Sequence, residues 1–148
     1  MILISHRGNI DGKILEIENH PDYIDKAISL GYDVEIDIWM VNDVFFLGHD
    51  EPQYKIEITW VDDRRNKLWV HCKNTEAMEF FNKFNYNINY FWHQNDNIIL
   101  TSKKFLWVHP GKQPINNSIA VLPELYNDNI KKCIGICSDF IIKYDLLN

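Results

Sequence analysis

Short apolar runs, each the size of one strand, recur along this chain, and five of its six histidines stand at or just beyond the end of one. The runs cover residues 2–5, 33–38, 68–70, 90–92, 98–100, 106–108, 119–122 and 134–137 and are rich in β-branched and aromatic residues, as buried parallel strands usually are. A further run at 44–47 follows the second too closely for a parallel crossover and predicts a hairpin. Pro21 and the apolar set Tyr23, Ile24, Ala27, Ile28 and Leu30 predict a helix over 21–30, with Asn19 or His20 as its cap. Ala77, Met78, Phe80, Phe81 and Phe84 predict another over 75–84, capped by Thr75. Eight parallel strands suggest a TIM-type (β/α) barrel, which usually takes about 250 residues. With 148 residues, the expected fold is a trimmed barrel with an inserted hairpin after strand 2 and several short or missing outer helices. An open α/β sheet is the second choice. No linker interrupts the chain, so residues 1–148 read as one domain.

Composition narrows the function classes. A net charge of −6 gives no long-range attraction to nucleic acid or anionic membranes. No apolar run reaches the roughly 20 residues of a membrane span. The start of the chain lacks the pattern of a secretory leader, and Cys72, Cys133 and Cys137 have no disulfide-framework spacing. The cytoplasm is therefore the expected compartment, with buried thiols.

In a β/α barrel the strand ends converge on one mouth. His6, His49, His71, His93 and His109 would meet there, supplying proton carriers and metal ligands together. Glu35 and Asp37, one residue apart in a strand, share a face. Two adjacent carboxylates repel unless a cation or proton lies between them, and their hard oxygens suit Mg²⁺ or Ca²⁺.

The string His6-Arg7-Gly8, then Glu18-Asn19, then Gly31-Tyr32-Asp33-Val34-Glu35-Ile36-Asp37, then Gly48-His49-Asp50 resembles the glycerophosphodiester phosphodiesterase family, among the phosphatidylinositol-phospholipase-C-like barrels. Ser138-Asp139 resembles the family's last-strand Thr-Asp. The resemblance implies His6 and His49 as the acid–base pair, Arg7 on a phosphoryl oxygen, and Glu35 and Asp37 on a metal. Glu18 and Asn19 match a segment that shapes the mouth. Lys73 keeps the family's lysine position, and with Arg7 and His93 it is expected to touch substrate.

Three departures accompany this. The family's third-strand Glu-x-Lys is here His71-Cys72-Lys73, residues 121–124 read Val-Leu-Pro-Glu rather than ending in Trp-Thr, and the helices are short. His71 then joins the metal set, with Glu124 as a candidate for the missing carboxylate. Mg²⁺ is the first expected ion, and imidazole ligation brings in Mn²⁺ or Zn²⁺ beside Ca²⁺. The expected activity is metal-dependent hydrolysis of a glycerophosphodiester-like or related small phosphodiester. The alternative is a non-catalytic phosphate- or polyol-binding module on a degenerate barrel. Apolar surface left by absent helices makes a homodimer a further expectation.

Overall fold

Strand β1 (Ile2–His6) leads through a long loop to helix α1 (Pro21–Ser29) and back to β2 (Asp33–Val41), the longest strand. There follow β3 (Val44–Leu47), β4 (Tyr54–Ile56), α2 (Ile58–Arg64), β5 (Leu68–Cys72), α3 (Thr75–Lys83), β6 (Asn89–Phe91), β7 (Ile98–Leu100) and β8 (Leu106–Val108). The chain closes with β9 (Ser118–Val121), a 3₁₀ turn at Pro123–Leu125, β10 (Gly135–Ser138) and α4 (Ile141–Asp145). This computed structural model describes residues 1–84 and 86–146.

All ten strands belong to one mixed sheet. Its parallel part runs β6-β5-β2-β1-β10-β9-β8. Beyond the reach of β1, the end of β2 pairs antiparallel with β3, and β3 with β4. At the other flank β7 pairs antiparallel with β8. The sheet curls into a half-barrel whose flanks meet through side chains. Phe91 of β6 lies 4.9 Å from Trp107 of β8, ring centre to ring centre. No ladder joins β6 to β7 or β8 among the described residues; Ser102 N–H donates to the Tyr90 carbonyl in its place.

The expected trimmed TIM-type barrel is therefore not what this sequence builds. Connection length is the reason. Residues 101–105 are too few for a parallel crossover, so the run at 98–100 turns back on 106–108 as a hairpin, as 44–47 does on 33–41. Past α3 the chain has no α-helix before Ile141 among the described residues, so strands and helices cease to alternate.

Helix α1 begins as expected on Pro21, with the His20 ring accepting from Asp22 N–H. The cap of α3 is Asn74 rather than Thr75. Asn74 Oδ1 accepts from Ala77 N–H and Met40 N–H, and its Nδ2 donates to the Met40 carbonyl at 2.7 Å, so one side chain ends β2 and starts α3. Helix α2 escapes the sequence pattern because it buries only Val61.

Strand alternation sorts the interior into two faces. On the convex side Val34, Ile36, Ile38, Leu68, Val70 and Cys72 pack against Ile24 and Ala27 of α1 and Ala77 and Phe81 of α3. On the concave side Ile4, Trp69, Phe91, Trp107, Ile119 and Cys137 form an apolar floor. Two residues further along the same strands or just past their ends, the same face carries His6, His71, His93, His109, Val121 and Asp139. Period-two geometry alone lifts these side chains to the carboxyl ends of the strands.

Candidate active site

Above the floor opens a cavity of about 630 Å³, lined by the histidines 6, 49, 71, 93 and 109 together with Arg7, Glu35, Lys73 and Asp139. The structure thus brings the five strand-end histidines to one mouth. Asp37 lies just beneath it, fully buried.

His6 ends β1. Its Nδ1 lies 2.7 Å from Asp139 Oδ1, and its Nε2 is 3.9 Å from Glu35 Oε2. Arg7 turns the chain with a positive φ of 55°. Its N–H donates to the Glu35 carbonyl at 3.0 Å, and its Nε sits 2.9 Å from Asp37 Oδ2. Gly8 follows at φ 91°, where a Cβ would strike the Tyr23 ring at 2.7 Å, so only glycine permits this turn. The loop then returns as Glu18, which takes Arg7 Nη1 at 3.3 Å and Asn9 Nδ2 at 2.7 Å, and as Asn19. Asn19 Nδ2 donates to Asp37 Oδ2 and its Oδ1 accepts from Asp37 N–H, both at 2.9 Å.

His71 Nδ1 lies 2.9 Å from Asp37 Oδ1 and 3.9 Å from Glu35 Oε1. Its ring stacks on His93 at 4.4 Å, and His93 meets His109 edge-on at the same distance. Lys73 Nζ is 3.6 Å from Asp37 Oδ1. His49 arrives from the other side of β2. Gly48 N–H donates to the Asp37 carbonyl, and the Trp39 indole N–H donates to the Gly48 carbonyl at 2.7 Å. A side chain at Gly48, which has φ 148°, would run into the Glu51 carbonyl. His49 Nδ1 then rests 2.6 Å from Asp50 Oδ1.

The two carboxylates titrate in opposite directions. Burial, then the charge of Asp37, pushes Glu35 above the usual carboxylate range. Burial opposes ionisation of Asp37 as well, but the His71 hydrogen bond and the charges of Arg7 and Lys73 hold it far below that range. Burial and then Arg7 lower His49. Burial, with His71, His109 and Lys73 nearby, lowers His93 to about 4. Asp139 is lowered: burial works against this, and the His6 hydrogen bond outweighs it.

Glu35, Asp37 and His71 place their ligand atoms within 4.8 Å of one another, as a metal-binding triad would. Glu35 Oε2 has no hydrogen-bond partner among the described residues although Glu35 is buried. Glu124 does not join them. Its carboxylate instead accepts from Ser138 Oγ at 2.8 Å and from Asp139 N–H, bracing the β10 end that presents Asp139. His6, Glu18 and Asp139 also cluster. There Asn9 Nδ2 donates to both carboxylates, and Arg7 and His6 take one each.

Asn9, Lys13, Trp39 and Gln94 escape the sequence reading as site residues. Asn9 cross-links Glu18 to Asp139, Trp39 fixes the turn before His49, and Lys13 and Gln94 line the mouth. Asn9 had a signal, since it completes the turn opened by His6-Arg7-Gly8. Among the described residues no helix is long and apolar enough to cross a membrane. Comparison of the chain with protein-family models, with curated proteins and with solved structures finds no match.

Proposed function

We propose that this protein is a metal-dependent phosphodiester hydrolase acting on a small phosphodiester. One observation carries the reading: a buried glutamate set between two histidines and beside a second carboxylate, with one oxygen that has no hydrogen-bond partner among the described residues. An unsatisfied buried carboxylate is costly unless a proton or a cation neutralises it, and the ligand atoms of Asp37 and His71 beside it favour the cation. Glu35, Asp37 and His71 would hold a divalent ion, Mg²⁺ first and Mn²⁺ next, since two carboxylates and one imidazole suit both. Bound there, the ion would supply charge stabilisation to phosphoryl oxygens. The order of His6-Arg7, Glu35-x-Asp37 and His49-Asp50, which resembles the glycerophosphodiester phosphodiesterases, supports the same reading.

The chain's own groups divide the remaining work. Arg7 and Lys73 face the cavity and offer positive charge to the anionic diester. His6, oriented by Asp139, takes the proton of the entering hydroxyl or water through Nε2. His49, held by Asp50, returns a proton to the departing alcohol. Turnover of glycerol and alkyl phosphodiesters should require Mg²⁺ or Mn²⁺ and stop on chelation. Calorimetric titration should show that Glu35→Ala and Asp37→Ala each abolish ion binding. Unchanged affinity in either variant refutes the site. A second reading, a phosphate-binding module without catalysis, draws on Asp37, whose oxygens already engage Asn19, His71 and Arg7. Phosphate binding without turnover of any diester would favour it.

A further inference from the structure

The cavity is divided. Its charged groups, Arg7, Lys13, Glu35, Lys73 and Asp139, come from β2, from the loop that follows β1, or from just beyond the ends of β5 and β10, the middle of the curled sheet. The flanks are different. Where β6 meets β8 and β9, Phe91, Trp107, Pro110, Val121, Leu122 and Leu125 line the cavity beside His93, Gln94 and His109, without a lysine, arginine, aspartate or glutamate. Phe91 and Trp107 touch across the curl, so this wall stands opposite the charged arc.

The wall is also built at a cost. Leu122 adopts a left-handed conformation, φ 44° and ψ 50°, which a branched side chain rarely takes. Its N–H donates to the Cys137 carbonyl at 2.7 Å, locking that turn. Strain of this kind concentrates at ligand clamps. Leu125, 63% exposed, extends the apolar surface outward at the mouth.

Resting on the phosphodiester reading above, the geometry points to a second subsite that takes an uncharged, apolar substituent of the diester, an alkyl, acyl or aryl alcohol. A phosphoryl group anchored at Arg7 sends one ester arm toward the Phe91–Trp107 wall. An ammonium there would lose its water and find no free carboxylate, because Glu35 and Asp139 belong to the charged arc. A second anion would find no cation. The apolar side chains of the wall favour an arm that gains by leaving water.

Phosphonates test this without turnover, since the anion is constant and only the arm varies. With Mg²⁺ present, calorimetry should find butylphosphonate and phenylphosphonate at least about tenfold tighter than methylphosphonate, as each buried methylene is worth about fourfold. 2-Aminoethylphosphonate should bind no better than methylphosphonate. Leu122→Asn, a residue that tolerates the left-handed turn, and Leu125→Asn should erase the butyl advantage while leaving methylphosphonate affinity within about twofold. Equal affinities across the methyl, butyl and phenyl series, or tightest binding of the aminoethyl arm, overturn the subsite while leaving the phosphate site standing. Methylphosphonate binding that survives Arg7→Ala, or no binding of any phosphonate, removes the phosphate site and the subsite with it.

Discussion

His6 and His49 are held by different means, and the difference assigns them different chemistry. His6 is buried, its Nδ1 fixed by the buried Asp139, so its Nε2 can point only along the site toward Glu35. His49 is more exposed and leans on Asp50 at the open edge, where a departing alcohol would leave. A general acid matters in proportion to how poorly the leaving group departs alone. His49→Ala should therefore lose about 10²–10⁴-fold in kcat/KM on an alkyl diester and far less on a nitrophenyl diester. His6→Ala should be impaired on both, because the entering oxygen still has to lose its proton. The measurement is kcat/KM for each variant on each substrate, with folding verified and metal saturating. Equal losses for His49→Ala on both substrates would remove it as the acid.

Elements in this fold are joined by single polar side chains as well as by packing, and Asn74 is the clearest case. It satisfies both backbone groups of Met40 and caps α3. Asn74→Ala leaves the cap and both Met40 groups without it, and should cost about 1–3 kcal/mol in urea unfolding; Asn74→Asp, which keeps the acceptor, should recover part of the loss. A change below about 0.3 kcal/mol would deny the joint. Much of this level was legible in advance. The apolar periodicity of α1 and α3 placed both helices within a residue or two, because each buries one stripe against the sheet. The direction of the strands after Phe91 was not legible, since a run such as Ile98–Leu100 reads alike whether its neighbour is parallel or antiparallel. Only the length of the connection decides. The cap at α3 falls on Asn74 for a related reason: Asn74 and Thr75 both suit the position, and the bonds to Met40, remote in sequence, make the choice. The shared face of Glu35 and Asp37 follows from period two, whereas the position of Glu124 depends on a turn whose left-handed Leu122 no sequence rule foretells.

At the scale of the whole molecule, the curled sheet gathers groups from distant parts of the chain into one buried charge cluster, and its stability is tied to what that cluster binds. Glu35 sits on β2 with a pKa raised above its unfolded value by burial and by Asp37. The sign follows directly. The protonated form is favoured on folding, so Glu35 favours the fold fully below its unfolded pKa. That contribution is lost as pH rises through the folded pKa. At neutral pH the Glu35 carboxyl, ionised in the unfolded chain and disfavoured as an anion in the fold, therefore opposes folding of the metal-free protein. Two consequences of opposite sign arise from one residue. Glu35→Gln should raise the melting temperature of the chelated protein at pH 7 and leave it nearly unchanged near pH 4. The same variant should abolish stabilisation by the ion. In the wild type, Mg²⁺ or Mn²⁺ at about 100 times its Kd should add about 2.7 kcal/mol, or roughly 5–10 °C in a chain of this length. A structural glutamate predicts the reverse pattern, a destabilised Glu35→Gln protein whose response to metal matches the wild type. Thermal melts of both proteins, with chelator and with metal, at pH 4 and pH 7, separate the two.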